Sequence, residues 1–252
     1  MALPTLDQHR SFLKDSIRKE FDFSTTDQSR HVPPPPIEKP HRPAQDQLPL
    51  VLSSDFQDTY ILPLVSAIGR RASRRQFTGA GLSLTDLSFL LWATQGVRTL
   101  IGPGHALRTV PSAGARHSFE TYLGVINVDS LKSGLYRYLP LSHSLVVERH
   151  DHAVGDSIAR AAFGQEWISR AAVVFIWATV PYRMEWRYGL AAHRVILIDA
   201  GHVCQNLYLA CEAVPAGTCA VAAYDQERMD TLLGLDGNNE FVIYLAAVGK
   251  PG

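Results

Sequence analysis

Cysteine is scarce in this chain, spare charge is absent, and no apolar run is long. The 3 cysteines, Cys204, Cys211 and Cys219, form no CxxC pair, and an odd number builds no disulfide framework. Reduced thiols in a cytosolic protein are the simplest reading, with Cys204 and Cys211 as packing residues on one apolar helix rather than redox partners. Lys+Arg and Asp+Glu both number 24, a formal net charge of zero. That balance argues against a surface built to coat nucleic acid or an anionic membrane. The longest apolar runs, AAVVFIWATV (171–180) and RVILIDAG (194–201), fall short of a membrane span. The opening MALPTLDQHRSFLKDS lacks the apolar core of a secretory signal, so a cytoplasmic protein is expected.

Familiar chemical signatures are missing as well. There is no GxxxxGKS/T loop, no GxGxxG fingerprint (GPGHA at 102–106 is too short) and no HExxH, and Ser112 has no GxSxG context. His150 and His152 flank Asp151, but histidines in a polar loop are more often solvated than ligands, so no metal site is expected.

What is present reads as one globular unit behind an unusual leader. Hydrophobic residues make up 46% and charged residues 19%, enough to bury a sizeable core. Residues 1–52 are expected to hold a short helix within 5–22 and a proline-rich stretch at 31–50. Proline fixes φ and lacks an N–H, so that stretch reads as an extended arm, either a disordered leader or a strap around a partner subunit. Residues 53–252 form the domain proper. SLTDLSFLLWATQGV (83–97) predicts a helix capped by Ser83 or Thr85. Strands are expected at ETYLGVINV (120–128), GLYRYLP, SLVVER, AAVVFIWATV, GTCAVAAY and EFVIYLAAVG, with a helix at 225–233. Residues 185–214 read as one long helix, apolar nearly all round at Val195, Ile196, Leu197 and Ile198, which suggests a central element or a subunit interface. The class is α+β.

Three stretches carry candidate chemistry. In IGRRASRRQFTGAG, Arg70, Arg71, Arg74 and Arg75 surround Ser73 with no acidic run nearby. Guanidinium groups and a hydroxyl make a good phosphate grip, although a solvated basic turn is the competing reading. In RTVPSAGARHSFETYLGVINV (108–128), small residues before a strand let a flat ring approach the backbone. In AGTCAVAAYDQERMDTLLGLD (216–236), another small-residue run offers the same opportunity or simply a tightly packed strand.

In order and spacing these stretches, together with LSLTDLSFLLWATQGV, SGLYRYLPLSHSLV, RYGLAAHRVILIDAGHVCQNLYLA and VGKPG, resemble the nitroreductase superfamily, specifically its SagB/ThcOx (azoline oxidase-like) branch. The resemblance covers roughly residues 65–252. It implies a mixed, mostly antiparallel sheet flanked by helices, in an intertwined homodimer with FMN at the interface. It also implies FMN as cofactor and NAD(P)H as electron donor. Arg71, Ser73 and Arg75 match the family's phosphate motif. Pro111, Ser112, Ala113 and Ala115 match the loop along the ring and ribityl chain, and Ala222 and Ala223 match a segment on the ring's other side. Lys250 sits where a further phosphate contact is often supplied. Arg70 and Arg74 are then expected to be solvated or paired elsewhere.

The family's azoline-oxidising members place a Lys-Tyr pair where this chain has Arg187-Tyr188, the candidate catalytic pair. Arginine is a poor general base, so azoline oxidation is placed in doubt while flavin binding is untouched. Arg116 and His117 replace an apolar continuation of the ring-side loop. They are expected to make its flank polar, favouring an anionic substrate, with His117 either a proton donor or a surface histidine. The leading expectation is NAD(P)H-driven reduction of nitroaromatic or quinone-like small molecules by ping-pong chemistry. A dehydrogenase acting on a C–N or C–C bond and a non-catalytic flavin-binding scaffold subunit are the alternatives. Neither nucleic acid nor membrane is an expected partner.

Overall fold

The run VVFIWAT has no polar alternation, and it becomes the strand that both faces of the sheet conceal. The computed structural model describes residues 3–41, 47–56 and 59–252. Its strands are β1 (Gln47–Pro49), β2 (Val97–Gly102), β3 (His105–Arg108), β4 (Phe119–Val125), β5 (Gly134–Leu139), β6 (Ser144–His150), β7 (Val173–Thr179), β8 (Gly217–Val221) and β9 (Phe241–Gly249). The helices are α1 (Leu6–Leu13), α2 (Ile17–Glu20), α3 (Leu64–Arg70), α4 (Leu84–Gln95), α5 (Val154–Ala161), α6 (Tyr182–Tyr188), α7 (Ala192–Cys211) and α8 (Gln226–Leu233).

Seven strands form one sheet in the order β1-β6-β5-β4-β7-β9-β8, every pairing antiparallel. Strand side chains alternate faces, and β7 shows the consequence. Val173, Phe175 and Trp177 enter one core with residues of α4 and α7. Val174, Ile176 and Ala178 enter a second core with Val154 and Ile158 of α5 and Met229 and Leu233 of α8. The architecture is therefore helix–sheet–helix, α+β as expected. β2 and β3 form a separate hairpin.

The capping question at α4 resolves to Ser83, whose hydroxyl accepts the Asp86 N–H at 3.0 Å. The long helix expected over 185–214 is a correction. α6 stops at Tyr188, Gly189 takes φ +49°, and α7 begins at Ala192. A Cβ on Gly189 would collide with the Phe21 ring, so the breaking position is restricted to glycine by a tertiary contact as well as by backbone conformation. Val195 and Ile196 are buried, but Leu197 and Ile198 are 47% and 46% exposed, so only one side of α7 is covered within the chain.

Where it is described, the proline-rich leader is ordered against its own domain over residues 32–41. Residues 42–46 of the expected arm fall outside the described residues. A polyproline-like backbone has free carbonyls and few N–H groups, and buried donors take those carbonyls. Arg183 Nε donates to Pro36 O (2.8 Å), Arg108 Nη2 to Ile37 O (2.9 Å), and Arg137 to Lys39 O and Pro40 O. Trp186 Nε1 donates to Val32 O at 2.9 Å.

The hub of this strap is Glu120 on β4, 2% exposed. It accepts from Arg183 and Arg137 and from the Lys39 backbone N–H. Burial by itself would raise the Glu120 carboxyl, but Arg183 and Arg137 outweigh it and hold the pKa below the ordinary value. Glu120→Gln should therefore destabilise the protein by about 3–5 kcal/mol at pH 7, as expected when one partner of a buried ion cluster is removed. A depressed folded pKa gives stability that is complete above the unfolded value, about 4.3, and lost as pH falls through the folded one. Urea unfolding should thus show the gap between wild type and variant closing in acid.

Candidate active site

α3 ends at Arg70, and the chain beyond it runs extended alongside β8. Ser73 bridges Thr218, and the Arg74 N–H donates to Thr218 O at 2.9 Å. Side chains two apart on an extended segment point the same way, which sets Arg71, Ser73 and Arg75 on one side and Arg74 on the other. The missing counter-charge turns out to be Glu212, just past the end of α7. It lies 3.7 Å from Arg70 and 4.0 Å from Arg74. Among the described residues, no carboxylate pairs with Arg71 or Arg75. Their guanidinium carbons instead lie 5.3 Å from the Tyr208 ring and 5.9 Å from the Trp167 ring, within cation–π range.

Tyr208 on α7 organises this patch, a role the sequence reading missed. Its hydroxyl accepts the Ala220 N–H (2.9 Å) and lies 3.0 Å from Ser73 Oγ. Either hydroxyl can donate across the Ser73–Tyr208 contact, and when Tyr208 donates, the Ser73 proton is available to a ligand. The signal in the sequence was a tyrosine near the C-terminal end of the long helix, one turn before Glu212. Ala222 and Ala223 follow directly after β8 and are exposed, so the arginine patch and the second small-residue run share the Tyr208 corner. Lys250 lines a cleft of about 410 Å³ with Arg70, Arg74 and Glu212, on the side of the engaged arginines.

The Pro111–Ala115 loop is backed by α6 and α7. Gly114, Ala115 and His117 have φ of +57°, +53° and +47°, an uncommon concentration of left-handed backbone for side chains bearing a Cβ. The Ser112 hydroxyl accepts the His117 N–H at 2.9 Å, and the Ala113 N–H donates to Asp199 Oδ1 at 3.3 Å. Burial pushes the Asp199 carboxyl up from its ordinary value, against the lowering contacts of Ser112 and Ala113. A Cβ on Gly114 would lie 2.7 Å from the Tyr188 hydroxyl and 2.8 Å from Arg187 Nε. The candidate catalytic pair therefore rests directly against the ring-side loop. No described carboxylate pairs with Arg187.

Arg116 and His117 are corrections. Both are buried, because β4 draws the residues that precede it into the core. Arg116 stacks on Trp186 at 4.6 Å and donates to Arg183 O and Gly104 O. Its charge is spent on structure rather than offered to a substrate. Burial, then the nearby Arg108, pushes the His117 imidazole down to about 3. It is neutral near pH 7 and carries no imidazolium proton to give as an acid.

The two candidate patches lie on opposite sides of α7. Asp199 and Tyr208 are nine residues apart, which at 100° and 1.5 Å per residue places them about 180° and 13 Å apart. The exposed stripe containing Leu197, Ile198 and His202 runs between them.

Residues 68–250 match the family model described as the nitroreductase family. The chain belongs to that family, and the general oxidoreductase role comes with it. It is 33% identical over 204 residues to "Putative nitroreductase MJ1384" of Methanocaldococcus jannaschii, covering 81% of this chain and 95% of that protein. A solved structure from Ralstonia eutropha, also named as a putative nitroreductase, superposes with a TM-score of 0.68 at 24% identity, covering 87% of this chain and 94% of that one. The Escherichia coli microcin synthetase McbBCD complex, solved with truncated pro-MccB17 bound, matches with a TM-score of 0.61 at 19% identity, over 100% of this chain and 98% of that chain. These structural likenesses speak for the fold. A further match, to an Anabaena variabilis structure (TM-score 0.63, 23% identity), takes in 82% of this chain and 42% of that one, so this chain spans less than half of that relative's length. Among the described residues no helix is long and apolar enough to cross a membrane.

His117 provides a test of the loop. Its NMR ring signals should stay fixed between pH 8 and 5. The unfolded chain, with an ordinary histidine pKa near 6.5, takes up the proton that the folded imidazole refuses. Stability should therefore fall by up to about 1.4 kcal/mol per pH unit from this residue as pH drops from 6.5 towards 3, and a His117→Asn variant should lack that slope.

Proposed function

We propose that the protein is an FMN-dependent oxidoreductase that takes electrons from NAD(P)H and delivers them to small nitroaromatic or quinone-like acceptors. The observation that carries this reading is the division of the arginine cluster. Glu212 engages Arg70 and Arg74, while Arg71 and Arg75 flank the Ser73 hydroxyl without a carboxylate. A phosphate dianion fits that arrangement, because two free guanidinium groups and one O–H supply charge-assisted hydrogen bonds. The loop of Pro111, Ser112, Ala113 and Ala115 and the exposed Ala222–Ala223 segment present backbone and methyl groups suited to a flat ring. Lys250 adds positive charge at the neighbouring cleft.

FMN bound there would supply two-electron chemistry, accepting hydride from NAD(P)H and passing reducing equivalents on. This chain's own part is to grip the phosphate, hold the loop through Asp199 and Ser112, and exclude water with its small side chains. The opposed positions of the two patches on α7 support a homodimer, in which one cofactor touches the arginine patch of one chain and the loop of the other. The half-exposed Leu197 and Ile198 give such a pair an apolar face. Placement in the SagB/ThcOx branch belongs to the same proposal.

A second reading, dehydrogenation of a C–N or C–C bond, is favoured by the Tyr188 hydroxyl resting against Gly114 of the ring-side loop. Tyr188 would exchange a proton there, and Arg187 would orient the substrate through its guanidinium N–H groups.

Purified protein supplied with FMN should show a flavin absorption spectrum that bleaches when NADH or NADPH is added without oxygen. Arg71→Ala and Arg75→Ala should each weaken FMN binding by about 10–100-fold, the loss expected of a charge-assisted hydrogen bond. Protein that takes up no flavin from excess FMN would overturn the proposal. Bound flavin that NAD(P)H leaves coloured, with oxidation of a substrate abolished in Tyr188→Phe, would select the dehydrogenase.

A further inference from the structure

Beside the ring-side loop lies positive charge that the flavin reading leaves unused. A cleft of about 480 Å³ opens between the base of the β2–β3 hairpin and the loop, lined among others by Arg98, Arg108, Leu107, Val110, Pro111 and His117. No carboxylate lines it. Arg98 is exposed, and its Nε donates to Arg108 O at 3.1 Å. Among the described residues nothing engages its two terminal nitrogens. Arg108 is 3% exposed. Its terminal nitrogens donate to Gln95 Oε1 (2.7 Å) and Ile37 O (2.9 Å), and its Nε has no partner.

Charge states sharpen the picture. Burial, then the nearby Arg183, lowers Arg108 to about 10, so it remains a cation at neutral pH. His117 is neutral there for the reason given above. The cleft thus carries two guanidinium charges and no anion, against a wall of Leu107, Val110 and Pro111. Glu120 and Glu38 act on Arg108 and raise it against burial and Arg183, so the cleft's free charge sits chiefly on Arg98. Charge of one sign in a recess focuses potential on a ligand of the other sign. A guanidinium fork with free N–H groups matches a carboxylate.

The geometry points to an anionic aromatic acceptor, a carboxylate-bearing ring whose carboxylate is received by Arg98 while the buried Arg108 supplies positive potential behind it. This deepens the function proposed above and rests on its placement of the acceptor beside the Pro111–Ala115 loop. Binding of the carboxylate itself needs only this chain's own residues. The anionic preference expected from Arg116 and His117 in the sequence therefore moves to Arg98 and Arg108.

The test compares 4-nitrobenzoate with its neutral isostere 4-nitrobenzamide on the flavin-loaded full chain, alongside ligand-observed NMR of benzoate and benzamide with and without FMN. The acid should be preferred in kcat/KM by about tenfold at low salt, the advantage shrinking as salt rises. Arg98→Gln should bring the acid-to-amide ratio close to one and abolish the benzoate signal. Equal kinetics for acid and amide, or benzoate binding indifferent to Arg98→Gln, would overturn the inference. So would loss of FMN affinity in that variant, since the cleft would then grip the cofactor. Benzoate bound through Arg98 by a chain that accepts no flavin would uphold the anion site and overturn the cofactor reading alone.

Discussion

The buried carboxylate of Glu120 is the constraint on which the rest of the structure depends. A charge so deep in a sheet is tolerable only when it is answered, and its answers come from separate parts of the chain: Arg137 on β5, Arg183 on α6 and the Lys39 N–H of the leader. The leader is bound through its carbonyls to the same arginines, so a segment with almost no apolar pattern is ordered by polar contacts. α6 is held by the same cluster, and with it Arg187 and Tyr188. The carbonyl of Arg183 then receives Arg116, which anchors the far end of the ring-side loop. One ionised group thereby links leader, sheet, helix and loop.

The second organising element is α7, whose covered side enters the larger core and whose flanks each support one candidate patch. Asp199 holds the loop, and Tyr208 joins Ser73 to Ala220. The exposed stripe between them keeps the patches apart within one chain. In the function proposed above, cofactor binding and assembly are one physical question, because the stripe that separates the two patches carries the exposed Leu197 and Ile198 that a second copy would cover. The strained backbone at Ala115 and His117 sits on the same loop. Such strain persists only where the surroundings over-determine it, and here Asp199, Ser112 and the Gly114–Tyr188 contact do so.

Much of the fold was legible because burial leaves a pattern. AAVVFIWATV announced a strand covered on both faces, Ser83 or Thr85 marked the start of α4 (Ser83 caps it), and the order of motifs pointed to the nitroreductase family. Illegible features were those made by contacts distant in sequence. Nothing in YGLAAH tells that Phe21 will sit where a Cβ on Gly189 would go. Nothing near Arg70 shows that Glu212 will come to meet it. Arg116 and His117 look like exposed polar residues because polarity normally marks the surface, yet an aromatic face, two carbonyls and a strand drawing the chain inward make their burial affordable.

By itself the sequence determined the α+β class, the family and the residue types available for gripping an anion and admitting a flat ring, because these depend on local pattern and spacing. Only the tertiary structure decided which arginines are free, which histidine is neutral, where the leader lies and which side of α7 remains open. Charge pairing, desolvation and steric exclusion are settled by neighbours in space, and the chain brings those neighbours together only when it folds.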